Sequence, residues 1–240
     1  MSKMLHNLFR QFTRDKSLLF WVGLAGLLIS LSVFMASTLL LEQKTAAFVY
    51  GRFILHWHTT IGLIVWGASY FARLRQSREM LFWLTLPVSR LQLLINFALV
   101  FNLIAFSMIF FSTFLLWIFT TPPFELILQF ILASGFEAMT CATLIVFFSF
   151  SLQGNLKAPF AVVIVLILGH TISSFERSLD APFLSTASIV DIWLIKILEA
   201  IAFISPRFDS TLTLSSFLQT TGFTFLTGLL CHTEFSRQSY

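Results

Sequence analysis

The sequence predicts an all-α integral membrane protein with six transmembrane helices, and three observations carry that prediction. Only 11% of its residues are charged, against roughly a quarter in a soluble domain. Hydrophobic residues make up 57% and the mean hydropathy is +0.87, so the chain lacks the polar side chains needed to cover a water-facing surface. Thirty phenylalanines stand against three tyrosines, as hydrocarbon surroundings favour, because a tyrosine hydroxyl needs a partner there. With 240 residues and roughly 20 apolar residues per span, six or seven helices are the practical maximum. Residues 1–240 then form a single transmembrane domain with no sizeable soluble part.

Residues 1–16 read as an amphipathic interfacial helix. Met4, Leu5, Leu8, Phe9 and Phe12 recur on one face, and Lys3, Arg10 and Arg14 lie opposite, toward anionic headgroups. The first span is expected at 18–41. It is too long for the roughly 7–15-residue core of a signal peptide, so it reads as a retained span. Glu42-Gln-Lys44 reads as a polar turn before a second span at 48–72, which carries Arg52, His56 and His58 in its first half. A basic segment with Arg73, Arg75, Arg78 and Arg90 leads to a third span at 91–119. Thr120-Thr-Pro-Pro123 makes a tight turn into the fourth, at 124–150, and Gln153-Gly-Asn-Leu-Lys157 separates that from the fifth, at 158–174. A polar stretch at 175–188 precedes a charged helix at 189–204, opened by Ser188-x-x-Asp191 as a capping box and ended by Pro206. Too short and too charged to span, it is expected to lie at the interface or to re-enter. The sixth span is expected at 211–231, with a short polar tail.

Orientation follows from lysine and arginine. With the N-terminus inside, Lys3, Arg10, Arg14, Lys16, Arg73, Arg75, Arg78, Arg90, Lys157 and Arg237 are cytoplasmic, and Lys44, Arg52, Arg177, Lys196 and Arg207 are external. Both termini are therefore expected in the cytoplasm. The pI near 9.4 does not indicate nucleic acid, because the basic residues sit in short groups beside apolar runs. Cys141 and Cys231 have no metal-ligand spacing and read as reduced packing residues.

The most informative segment is Gln76-Ser-Arg-Glu-Met-Leu-Phe-Trp-Leu-Thr-Leu-Pro-Val-Ser-Arg90. It encodes a charged start, a short apolar helix with Met80, Leu81 and Leu84 on one side, a stop at Pro87, and a capping box Ser89-x-x-Gln92 opening the third span. A plain linker needs only a few polar residues, so apolar groups among charges point to docking. This segment resembles the first cytoplasmic loop of the permease subunits of ABC type-2 exporters, at Glu79, Leu84, Leu86, Pro87, Val88, Ser89 and Arg90. Met80-Leu-Phe-Trp83 stands where that family usually has a Gly-Thr pair. The basic N-terminal helix, the six spans with both termini inside and the helix-bearing segment before the last span also match. Ile204-Ser-Pro-Arg-Phe-Asp209 is similar to a short motif found before the last span in some of these permeases.

The resemblance implies that the loop is a coupling helix seated in a separate ATP-binding subunit, with Arg78, Glu79, Leu84, Pro87 and Arg90 at the contact. ATP and magnesium would sit on that partner, since no G-x-x-x-x-G-K-[ST] loop occurs in the sequence. The chain itself would bind no cofactor and catalyse no reaction. Its other partners would be a second permease copy or a paralogue, and membrane lipid, in a bacterial cytoplasmic membrane. Type-2 permeases move lipids, glycans, peptides, drugs and haem-related cargo, and no side-chain pattern in the sequence selects among them.

Glu137 lies midway through the fourth span, where a carboxylate costs several kcal/mol unless paired, protonated or hydrated. It lines a substrate path or dimer interface, or else is a protonated acid bonded to Ser, Thr or Gln on a neighbouring helix. His56 and His58, two apart on one helix, point in different directions, whereas His56 and His170 both lie toward the outer leaflet. An alternative is therefore a six-span haem-handling or redox protein using His56 and His170, although packing histidines explain them as well. A membrane scaffold is a third reading. Neither His-Glu-x-x-His nor Gly-x-Ser-x-Gly occurs.

Overall fold

The computed structural model describes residues 15–37, 41–77, 79–152, 156–179, 206–208 and 213–237, together with positions 7 and 10. Among these residues the chain is helical, with no strand. The helices are α1 (Lys16–Ser37), α2 (Leu41–Gln76), α3 (Glu79–Thr85), α4 (Arg90–Thr120), α5 (Phe124–Ser151), α6 (Lys157–Leu179) and α7 (Leu214–Arg237). Most of the expected N-terminal helix, and the whole of the expected 189–204 helix, lie outside the described residues.

Local chemistry sets most boundaries. Asp15 caps α1, accepting the Ser17 backbone N–H at 2.9 Å and the Ser17 hydroxyl at 2.5 Å. α3 stops just before Pro87, whose ring disfavours helix in the preceding residue. Ser89 then opens α4 from extended backbone and accepts the Gln92 N–H at 3.1 Å. Thr121 closes α4 in the left-handed region, φ 45°, donating to Trp117 O at 2.8 Å, and Pro122 and Pro123 bar further helix. Thr213 and Ser216 cap α7 reciprocally, each hydroxyl accepting the other's backbone N–H.

Three boundaries differ from expectation. α2 begins at Leu41 and takes in Glu42-Gln-Lys44, because no glycine or proline interrupts the run before Val49. α6 continues to Leu179, through residues expected to be a polar stretch, since the next proline is Pro182. α7 runs to Arg237, so the expected polar tail is largely helix. In all three cases helix propagation continued through polar residues that the hydropathy pattern had excluded.

α5 is the central element and packs against α2, α4, α6 and α7, while α1 lies on α2 and α4. The main core is aromatic. Phe101 stacks on Trp66 and Phe71 at centroid distances of 4.8 and 5.4 Å, and Phe150 joins Phe97 to Phe235 across three helices at 5.3 and 5.0 Å. Glycine allows a close approach at Gly67, where an added Cβ would lie 3.1 Å from Phe101 and Ile145. A smaller cluster of Ile29, Phe48, Leu55, Leu116 and Ile127 fills the opposite end.

The outer surface is equally apolar. Leu91, Ile95, Leu99, Leu103, Phe106 and Phe110 form a continuous exposed stripe along α4 at near-fourfold spacing, the kind of apolar surface that marks contact with lipid or another protein. Two helices, Arg90–Thr120 and Phe124–Ser151, are long and apolar enough to cross a membrane. α1 and α6 carry shorter apolar stretches, Lys16–Leu31 and Lys157–Thr171.

Arginines tie the helix ends together at the end of the bundle that carries α3. Arg73 pairs with Asp15 and donates to the Ser17 hydroxyl at 3.1 Å, joining α2 to the start of α1. Arg75 donates to Ser149 O near the end of α5, and Arg90 donates to Phe235 O near the end of α7 while lying 5.2 Å over the Phe235 ring. The last carbonyls of a helix have no intrahelical donor, so a guanidinium placed there satisfies them and meets the negative end of the helix dipole.

Burial opposes ionisation of Asp15, but the hydrogen bonds from Ser17 and Arg73 outweigh it and hold its carboxyl below the ordinary value of 3.8. The pair's stabilisation is therefore present above that pH and lost as the pH falls through the lower folded value. Because the Arg73 side chain is 53% exposed, solvent screening limits the contribution to about 1 kcal/mol. Asp15→Asn should lower the melting temperature of the detergent-solubilised protein by a few degrees at pH 7, and the deficit should shrink once the pH drops below 3.8.

Candidate functional site

Two places among the described residues bear on function. The first is the elbow formed by α3 and residues 86–89. Trp83 is buried and packs edge-on against Phe97 at 5.8 Å, which anchors α3 to α4. Phe82 turns the other way and is 61% exposed, beside exposed Glu79. The Leu86 carbonyl accepts Val88 N–H at 2.7 Å around Pro87, a tight γ-type turn. Of the residues expected to couple to a partner, Glu79 and Pro87 are exposed and Leu84 is half-buried against the core. Arg90 faces inward onto α7, and Arg78 lies outside the described residues.

The second is a cavity of about 240 Å³ bounded by α2, α5, α6 and residues 206–208. Glu137 is 5% exposed on α5 and His56 is 9% exposed on α2. Their side chains meet with His56 Nε2 3.2 Å from Glu137 Oε1. His170 of α6 reaches the same oxygen, with Nε2 at 2.9 Å. The Trp57 and Phe208 rings both contact the His170 ring, at centroid distances of 5.3 and 5.5 Å, and so fix its orientation.

Phe208 reaches this position because residue 169 is glycine: a Cβ there would lie 2.5 Å from the Phe208 ring and 3.1 Å from Pro206 O. Buried Thr220 secures the same segment through its hydroxyl, which accepts Arg207 N–H at 2.9 Å and donates to Arg207 O at 3.0 Å. Arg52 also lines the cavity, its guanidinium 5.5 Å over the Phe130 ring.

The sequence reading singled out Glu137 either as a path or interface residue or as an acid bonded to Ser, Thr or Gln, and its side-chain contacts are with His56 and His170. The available signal was that three ionisable residues each fall well inside an apolar helix. His58 takes no part: its Nε2 lies 3.1 Å from Trp21 O and its ring packs on Trp21.

Haem does not fit the pair His56 and His170. Both Nε2 atoms converge on one carboxylate oxygen, which occupies the point where iron would have to lie. The cavity is also below the roughly 300–1,000 Å³ of cofactor-sized sites. What the arrangement can do is hold a proton or a small cation between two imidazoles and a carboxylate.

A scan against protein-family models finds no match, and a search of curated proteins finds none either. Function must therefore be argued from these residues. Gly169→Val should push Phe208 off His170 and cost about 1–3 kcal/mol through overpacking. Thermal unfolding should show the loss, and Gly169→Ala should be milder than Gly169→Val.

Proposed function

We propose that this chain is the permease subunit of an ATP-driven exporter, with six spans, both termini in the cytoplasm of a bacterium, and a separate ATP-binding subunit docked at the elbow. The observation that carries the reading is the elbow itself: Trp83 is buried as an anchor while Phe82 and Glu79 are presented outward on a short helix. An exposed aromatic beside a carboxylate, held by a buried neighbour, has the make-up of an interface hot spot. The resemblance at Glu79, Leu84, Leu86, Pro87, Val88, Ser89 and Arg90 supports the same assignment.

The six spans are α1, α2, α4, α5, α6 and α7, each of 22 residues or more. The exposed apolar faces of α1, α4 and α7 support this, and the arginines gathered at the α3 end are what the positive-inside tendency requires of the cytoplasmic side. In this reading Glu79, Phe82, Leu84 and Pro87 form the docking face, with Arg78 next to them in sequence. Arg90 acts from behind, fixing the start of α4 to the end of α7. A second copy or a paralogue completes the path, and the cavity at Glu137 belongs to it. ATP and magnesium belong to the partner subunit.

The test is a mild-detergent pull-down of the tagged protein from its native membrane, with mass spectrometry of what accompanies it. A P-loop ATPase should be recovered in stoichiometric amount and be lost from Glu79→Arg and Phe82→Ala, with membrane insertion unchanged. A preparation with no ATPase, or one in which both variants retain it, would overturn the docking assignment.

A further inference from the structure

We propose that His56, Glu137 and His170 form a binding site for a divalent first-row transition ion, best matched by Zn²⁺, held by two imidazole Nε2 atoms and one carboxylate oxygen.

The donor set comes first. One ligand atom from each of the three residues falls within 4.8 Å of the others. Bonds of about 2.0–2.2 Å at a tetrahedral zinc place neighbouring ligands about 3.3 Å apart. The two nitrogen–oxygen separations, 3.2 and 2.9 Å, require only a few tenths of an ångström of opening to reach that value. Two imidazoles and a carboxylate suit zinc and its neighbours. They do not suit Ca²⁺ or Mg²⁺, which take oxygen ligands, nor Cu⁺, which takes thiolate or thioether.

Burial gives the second argument. The Glu137 carboxylate lies among apolar helices, where an uncompensated charge is costly, and a divalent ion bonded to it would offset that charge directly. The rings are also poised for it. His170 is fixed between Trp57 and Phe208. His56 is held through its Nε2 contact with Glu137 alone, because its buried Nδ1 has no hydrogen-bond partner among the described residues, so an ion between them would take over that contact with the proton moving to Nδ1.

The three ligands come from α2, α5 and α6, so the ion would tie the central helix to two of its neighbours. All three residues line the cavity, from which the remaining coordination position is reached. With Arg52 and Ser134 on the same wall, the fourth ligand is water or a small anion. Three protein ligands and one exchangeable position distinguish such a site from a closed structural one. The inference needs neither ATP nor a partner subunit, so it stands or falls separately from the exporter reading.

The experiment uses the full chain in detergent, purified through a tag without histidine and stripped with chelator. Titration with Co²⁺ should give one ion per chain with the visible absorption of a four-coordinate site, and Zn²⁺ should displace it. Glu137→Gln and His170→Ala should each weaken binding on the order of 100-fold or more, since loss of even an outer-shell partner costs 10–100-fold. His232→Ala, at a histidine remote from the cavity, should bind as the parent does. Zn²⁺ should also raise the melting temperature of the parent protein, a readout that survives if a variant does not fold. Absence of bound Co²⁺ in the parent, or equal binding in parent and His170→Ala, would overturn the proposal and leave the three residues as a hydrogen-bonded cluster.

Discussion

A polar group withdrawn from water is costly unless it finds a partner inside the protein, and that cost shapes much of this bundle, although the hydroxyls of Thr59, Thr60 and Thr113 have no hydrogen-bond partner among the described residues. At the α3 end, arginine guanidinium groups meet the closing carbonyls of α5 and α7 and the Asp15 cap of α1. Along the helices, Thr120 and Thr140 turn their hydroxyls back to carbonyls four residues earlier. Between α4 and α5, the Asn102 amide and the Thr143 hydroxyl satisfy each other at 2.9 and 3.0 Å. In the middle, Glu137 has two imidazoles. Where polar atoms are this few, each pairing also fixes register: Ser151 to Cys231 O sets α5 against α7, and His170 to Glu137 sets α6 against α5.

Much of this was legible in the sequence because the strongest signals are local. The starts and ends of α4 and the start of α5 follow from Ser89, Thr121 and the proline pair, whose chemistry acts within a few residues. Where the reading erred, at 42–44, 175–179 and 232–237, it equated loss of hydrophobicity with loss of helix. Those are separate properties. Glu, Gln, Lys and Ala are good helix formers whatever they face, and a helix longer than a bilayer's hydrocarbon core can extend beyond it. The reciprocal Thr213–Ser216 cap was missed for a smaller reason, because it lacks the Glu or Gln that the usual capping box carries.

The site was legible only in part. Glu137 drew attention by being an acid in an apolar run, an argument that needs one residue and its position. Its partnership with His56 and His170 joins positions 81 and 33 residues away in the sequence, and no periodicity along one helix encodes which faces of three helices meet. The small residues that make the meeting possible were equally silent. Gly169 reads as an ordinary glycine until Phe208 is seen against it, and Thr220 as an ordinary threonine until it brackets the backbone of Arg207. Arg90 shows the reverse case: a motif position with an expected outward role turns out to hold two helices of its own chain together.

The elbow and the cavity share one element. α2 carries His56 toward its middle and Arg73 and Arg75 at the end that leads into α3, a distance of about 30 Å at about 1.5 Å per residue. No proline interrupts that stretch. Near the elbow the helix is bound to α1 through Asp15 and to α5 through Ser149, and at the cavity it is bound to α5 again through Glu137. A partner that displaced α3 would therefore load α2 along its length, and the His56–Glu137 contact, at 3.2 Å with an unpartnered ring nitrogen behind it, lies on that path. Continuity of this kind is not coupling, which requires two arrangements that both ends bias. It does identify where a second arrangement would have to differ: at the three-residue junction of α2, α5 and α6.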